Sequence, residues 1–223
     1  MFYRVLMLLF LFGLSAARAN DVTVGSTKLA IPHQPGLCDL DESKAGDKRM
    51  LVAIRGMIGT NTLLSMSADC GQLRTWHAKS GILLQNMLQY QTMSSWLDKS
   101  VTSEDIKGAC DTVAAEGDKL TSEQLPDVRS RAETFMKKVG IQGNQFLGVL
   151  ENKPGEVCFS AMLQRYKAET GAQIVQLNVW ATTRIREKLV YVYYFSPYVD
   201  SGTITVALAN LKIYYANLVE ANR

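Results

Sequence analysis

Leu189-Val190-Tyr191-Val192-Tyr193-Tyr194-Phe195 is the stretch that decides the fold. It is made of β-branched and aromatic residues with one Leu, the composition of a strand. Successive strand side chains point to opposite faces, and here both sets are apolar. A strand of that kind is covered on both sides. It lies within the last of four expected strands, Gln145 to Glu151, Val157 to Tyr166, Ile174 to Thr182 and Lys188 to Tyr198. Lys153-Pro154-Gly155 turns the chain after the first, and Thr170-Gly171 lies between the second and third. Such short connections imply an antiparallel meander. Asp200 or Ser201 then caps a long C-terminal helix. Ile204, Leu208, Leu211, Tyr215 and Leu218 step along it at helical spacing.

Working back toward the N-terminus, two helices precede the meander. In the first, Thr102 and Asp105 have capping-box spacing. Its apolar stripe is Ile106, Ala109, Cys110, Val113 and Ala114. The second starts near Pro126, with Val128, Ala132, Phe135, Met136 and Val139 as its stripe. Further back, Ile82 to Met93 reads as a strand with Ile82, Leu84, Leu88 and Tyr90 on one face. A polar loop around His77 comes before it, and Thr62 to Ala68 is another strand. Asp41 or Ser43 caps a helix running to about Ile58. Val22 to Ile31 is a small hairpin turning at Gly25-Ser26. The C-terminal helix covers one side of the central strand, and the middle or first helices cover the other. The expected fold is therefore α+β, a mostly antiparallel sheet covered by helices on both faces.

That order of elements (hairpin, helix, strands, helices, strand meander, terminal helix) resembles the PsbP-like α/β/α sandwich from Val22 to Asn222. The resemblance implies a largely non-enzymatic assembly or accessory factor. It assigns no site residue and no cofactor.

The first nineteen residues address the chain for export. Arg4 is followed by the apolar run Val5 to Leu14, and Ala17-Arg18-Ala19 presents small residues where a signal peptidase cuts. The run is shorter than the ~20 residues that a membrane span requires. Cleavage after Ala19 gives a signal peptide, 1–19, and one α+β domain, 20–223. The formal net charge of +3 falls to +1, because Arg4 and Arg18 leave and no acidic residue does. A nearly neutral chain lacks the basic face that nucleic acid requires. No later run is long enough for a transmembrane anchor. The expected location is periplasmic or secreted.

Cys38, Cys70, Cys110 and Cys158 all fall after the cleavage site. An even number in an oxidising compartment favours two disulfides, in one of three connectivities. Cys38 precedes the first helix, and Cys70 ends the strand that returns beside it. Cys110 lies on an apolar helical stripe, and Cys158 sits near the start of a core strand. The favoured pairs are thus Cys38–Cys70 and Cys110–Cys158.

The common catalytic motifs are missing. His33 and His77 are the two histidines, far apart and in no His-Glu-x-x-His arrangement. There is no Gly-x-Ser-x-Gly elbow, no Ser-x-x-Lys after the cleavage site, and no phosphate-binding Gly-rich loop. Cys70 with His77 as base is the one nucleophile pair that can be drawn, and an oxidising compartment opposes a thiolate. Asp39, Asp41 and Glu42 cluster near Cys38 and read as helix capping and a solvated turn. No catalytic, metal or cofactor-binding residue is assigned, and no cofactor is expected. The candidate binding surface is aromatic: Tyr194, Pro197, Tyr198 and Asp200, where the central strand runs out into a loop. Three readings follow. The first is an exported non-enzymatic protein acting through a protein or envelope partner. The second is a small exported hydrolase using carboxylates or Cys70. The third is a small-molecule carrier with an aromatic pocket.

Overall fold

The computed structural model describes residues 19–78, 84–115, 140–167 and 173–223. Residues 1–18 of the expected signal peptide, the helix expected from Pro126 and the Thr170-Gly171 turn lie outside them. So does Ile82, where a strand was expected to begin.

The chain opens with a hairpin of β1 (Ala19–Val24) and β2 (Thr27–Pro32). Gly25 sits in its turn at φ 59°, in the left-handed region that favours glycine. A Cβ there would also collide with the Leu97 carbonyl oxygen, so the position is closed to side chains twice over. A seven-stranded sheet follows, built from β3 (Leu37–Asp39), β4 (Asn61–Asp69), β5 (Met87–Met93), β6 (Gly140–Lys153), β7 (Val157–Lys167), β8 (Gln173–Ile185) and β9 (Lys188–Pro197). Their order is β3-β4-β5-β9-β8-β7-β6, and every neighbouring pair is antiparallel. The class is α+β with an antiparallel sheet. The last four strands form the expected meander, and β9 closes it against β5 at the sheet's centre.

Four helices are described: α1 (Ala45–Met57), α2 (Cys70–Ala78), α3 (residues 103–115) and α4 (Ser201–Ala221). Two of their starts follow the sequence. Thr102 and Asp105 exchange capping bonds, with the Asp105 N–H donating to the Thr102 hydroxyl and the Thr102 N–H to the Asp105 carboxylate. Asp200 caps α4 in the same reciprocal way with Thr203.

Four expectations need correction. Neither Asp41 nor Ser43 caps α1, which begins after Lys44 with no side-chain cap. Asp41 instead accepts the Ser43 N–H at 2.9 Å, closing a turn one step too early to cap the helix. The segment around His77 is helical. Asp69 starts it by accepting the Gln72 N–H at 2.8 Å, a cap hidden at the end of a strand. Leu84 does not share a face with Leu88 and Tyr90. It precedes β5 and packs with Leu51, Leu63 and Leu73, while Leu88 and Tyr90 join a different cluster. Ala114, placed on an apolar stripe, is exposed.

Alternate residues of β9 enter different apolar clusters. Val190, Val192 and Tyr194 pack with Ala207, Leu211 and Leu218 of α4 and with Val24, Leu29 and Ile31 of the hairpin. Leu189 and Tyr191 pack with Val101, Ile106 and Cys110 near α3. Phe195 joins Leu51 and Ile54 of α1 and Leu73 of α2. Each fully buried side chain of this kind is worth roughly 1.5–3 kcal/mol in removed apolar area.

Two disulfides fasten helices to strands, Cys38–Cys70 with Cα atoms 5.0 Å apart and Cys110–Cys158 at 5.9 Å. These are the favoured pairs. Each closes a loop worth roughly 4 kcal/mol in the chain-entropy account. The first ties β3 to the start of α2, and the second ties α3 to β7.

Candidate functional site

The strand exit carries the surface expected from the sequence. Tyr194 is buried, and its ring meets Tyr214 of α4 edge-on at 5.4 Å. Burial also pushes the Tyr194 phenol upward from its ordinary pKa. Pro197 and Tyr198 are half-buried, and the Tyr198 N–H donates to the Val175 carbonyl at 3.0 Å. Asp200 is exposed, with its carboxylate engaged by the Thr203 N–H at 3.2 Å. The four therefore lie in sequence along one exit from the sheet. Tyr194 packs inward, Asp200 organises the helix start, and Pro197 with Tyr198 spans the two.

A second aromatic array lies across the sheet from α4. Trp180 of β8 is register partner to Tyr193 of β9, and their rings are 6.1 Å apart. Phe146 of β6 continues the row beyond Trp180 at 6.1 Å. Tyr191 and Phe195 flank Tyr193 at 5.9 and 6.4 Å, because i and i+2 in a strand share a face. Register places neutral polar groups on the same face: Ser160 beside Trp180, Asn178 beside Phe195, Thr182 beside Tyr191. All three are buried. The Ser160 and Thr182 hydroxyls and the Asn178 carbonyl oxygen have no hydrogen-bond partner among the described residues.

Gln89 and Gln91 of β5 continue this face next to Tyr193 and Tyr191. They are buried and bonded to each other at 2.7 Å, and Asn61 donates to Gln91 at 2.9 Å. Burial pushes the Tyr191 phenol up to about 12. Tyr193 is pushed up further by burial and by Tyr191. Both stay neutral at ordinary pH. The array offers flat aromatic faces interleaved with amides and hydroxyls, suited to packing a flat surface and bonding an uncharged polar group. Sequence reading placed Tyr191, Tyr193 and Phe195 on one strand, assigned none of them to the candidate surface, and missed their neighbours. The signal was the alternation in β8, where Asn178, Trp180 and Thr182 interrupt Leu177, Val179 and Ala181.

Both histidines meet carboxylates. His77 Nε2 contacts Asp47 Oδ1, and the other Asp47 oxygen accepts the Asp41 N–H at 3.0 Å. Asp47 is fully buried, so this pair pins α1 to α2. His33 Nδ1 lies 2.6 Å from Asp39 Oδ2, while Ser67 donates to Asp39 Oδ1 at 2.7 Å. The acidic cluster near Cys38 is thereby divided among local tasks. Asp39 joins His33 to β4, Asp41 closes its turn, and Glu42 pairs with Arg55. Hydrogen bonds from Ser43 and Thr102 hold Asp41 and Asp105 below the usual carboxylate range. Cys70 and His77 lie at opposite ends of α2, and the Cys70 sulfur is bonded to Cys38. It offers no thiolate, which corrects the nucleophile reading. A cleft of about 200 Å³ lies at the other end of the sheet. Its lining is Gly143, Asn144, Gln145, Leu163, Arg165 and Val175, with no carboxylate among them.

No protein-family profile matches the chain, and no curated protein matches it. Among solved structures it is similar to the Ran-binding protein Mog1p of Saccharomyces cerevisiae, at 11% identity over 93% of both chains with a TM-score of 0.32. A mutant form of Mog1 aligns at 11% identity over 92% of both chains with a TM-score of 0.29. At that level the likeness assigns neither fold family nor function.

Proposed function

We propose that this chain is an exported, non-enzymatic accessory protein that acts by binding a protein or envelope partner. Its architecture in this reading is PsbP-like, one domain with helices on both faces of the sheet. The single observation that carries it is the pair of disulfides, Cys38–Cys70 and Cys110–Cys158. All four cysteines of the chain are consumed in them, a pattern of oxidising compartments. The division of β9 side chains among separate helical clusters supports the sandwich. Among the described residues no helix is long and apolar enough to cross a membrane. The candidate contact surface remains the exit at Pro197, Tyr198 and Asp200, with Tyr194 as its anchor.

Fractionation of the producing cell tests the address. The protein should occur outside the cytoplasm, begin at Asn20 and yield no free thiol before reduction. A cytoplasmic pool that keeps Met1 and four alkylatable thiols overturns the reading. A broad hydrolase screen tests the rest, and reproducible turnover abolished by a single carboxylate substitution overturns the non-enzymatic part.

A second reading is favoured by a separate observation, the unpartnered Ser160, Asn178 and Thr182 beside Trp180 and Tyr193. It makes the protein a carrier of a flat, uncharged ligand. Titration of uncharged aromatic and sugar ligands against tryptophan fluorescence tests it, with Trp180→Phe as the control. The carrier reading requires a saturable change that this control loses, and a flat response removes it.

A further inference from the structure

α4 carries two apolar faces, and the core uses only one. Ala207, Leu211 and Leu218 are buried against the sheet and hairpin. On the far side Gly202, Val206, Ala209, Ile213, Ala216 and Glu220 are all exposed. Val206 and Ile213 are 62% and 55% exposed, two of the four large apolar side chains most open to solvent among the described residues. The steps between these six positions are 4, 3, 4, 3 and 4, the heptad spacing of a helix that packs along another helix. An ordinary surface helix carries charge there. From Ser201 to Ala221 the only charged residues are Lys212 and Glu220, and Lys212 is turned back to Glu151 of β6.

Large and small residues alternate along the stripe, and the alternation is self-complementary in one direction only. Laid antiparallel on a second copy about a two-fold axis, Val206 faces Ala216 of the second copy and Ala209 faces its Ile213. The axis generates the same two layers again on the other side. Each of the four layers then holds one branched side chain against one methyl group. A parallel pairing would instead crowd Val206 on Val206 and Ile213 on Ile213, and leave the alanine layers empty. The ends agree with the antiparallel register. Glu220 is brought to Gly202 in the first turn of the other helix, where the helix dipole favours a carboxylate. Arg223 is brought beside the exposed Asp200.

We propose that this face of α4 is the interface of a two-fold antiparallel homodimer. The matching patch runs from Gly202 to Glu220, nineteen residues and about 27 Å of helix. One helix pair of that length falls at the low end of interface size, below about 1,200 Å², so the dimer is weak and reversible. Of the strand exit the contact engages only Asp200, through Arg223 of the second copy, and it uses no residue of the aromatic array.

Sedimentation velocity over a concentration series tests the proposal. Wild type should shift from monomer toward dimer as concentration rises, and Ala209→Glu should stay monomeric with an unchanged circular dichroism spectrum. Cross-linking reads the register independently. All native cysteines are paired, so an added one is the sole free thiol. Val206→Cys mixed with Ala216→Cys should give a disulfide-linked pair, and neither variant alone should. A wild type that stays monomeric, a dimer that survives Ala209→Glu, or cross-linking of Val206→Cys with itself each overturns the proposal.

Discussion

Gln34 and Tyr90, fifty-six positions apart, meet inside the protein, where the Gln34 side-chain amide lies 3.2 Å from the Tyr90 hydroxyl. Both residues are buried. The same amide reaches the Pro32 carbonyl at 3.4 Å, and the Gln34 oxygen accepts from Asn217 of α4 at 2.7 Å. One side chain thus satisfies groups on the hairpin, the central sheet and the terminal helix. An unpaired buried polar group costs more than a made hydrogen bond returns. Gln34→Leu strands the Tyr90 hydroxyl and the Asn217 amide together and should cost about 2–3 kcal/mol. Tyr90→Phe removes one partner and should cost about 1 kcal/mol. Urea unfolding of both variants and the double variant checks this, and strict additivity would show that the two side chains do not interact.

The Cys110–Cys158 link should matter more than its burial alone implies. α3 packs through a small cluster, Val101, Ile106, Cys110, Cys158 and Leu189, with the disulfide at its centre. Replacing both cysteines by alanine should cost about 4 kcal/mol. Amide exchange over residues 103–115 should rise more than over β8 and β9. Equal acceleration everywhere would show that the link stabilises the fold without anchoring α3 in particular.

How legible this was in the sequence depends on the kind of signal each element carries. β9 could be read because its unbroken run of β-branched and aromatic residues is a strand composition whichever face is counted. α4 could be read because Ile204, Leu208, Leu211, Tyr215 and Leu218 recur at helical spacing behind a capping residue, Asp200. The disulfide pairs followed from placing each cysteine on its element. α2 was not legible, because its cap, Asp69, reads as the end of β4, and Gly71 and Thr75 are poor helix formers. β3 escaped because three residues show no period. In the candidate site, period told which residues share a strand face but not which strands are neighbours. Tyr193 was therefore placed on its strand but not joined to Trp180, and no local pattern marks Gln89 and Gln91 as belonging to the same face. β9 pairs with β5 across about one hundred residues of intervening chain, a partnership that only the folded sheet defines.

Lys188 is a further case of tertiary context overriding the local reading. As the first residue of a strand it reads as a solvated end, yet it is buried. Its ammonium donates to the Leu97 carbonyl at 2.9 Å and to the Lys99 carbonyl at 3.1 Å. It fastens the loop after β5 to the start of β9. Lys188→Met keeps the stem and strands both carbonyls, so it should cost about 2–3 kcal/mol. The exposed Lys99, whose ammonium lies 4.8 Å from the Trp96 ring, is the comparison. Lys99→Met should cost less than about 1 kcal/mol. Thermal unfolding of the two variants checks the order, and equal losses would mean that the Lys188 bonds contribute nothing net.

Alkaline pH should unfold this protein from within its aromatic array. Burial pushes Tyr191 up to about 12 and, together with Tyr194, pushes Tyr214 up to about 12. Tyr90, Tyr166 and Tyr193 are raised by burial as well. In the unfolded chain each phenol ionises near its ordinary value of about 10. Between that value and the raised one, the folded state holds protons that the unfolded state has released. Stability must then fall as pH rises. The contribution is intact below about pH 10 and drains away between about pH 10 and 12. Each fully buried phenol contributes a slope of about 1.4 kcal/mol per pH unit, and half-exposed Tyr214 contributes less. Tyrosinate absorbance should rise in two stages, first the accessible phenols and then a steep step that coincides with loss of circular dichroism. Tyr191→Phe should flatten the stability slope above about pH 10 and leave it unchanged at neutral pH. A single smooth titration centred on the ordinary tyrosine value, with the fold intact, would show that these rings are open to water.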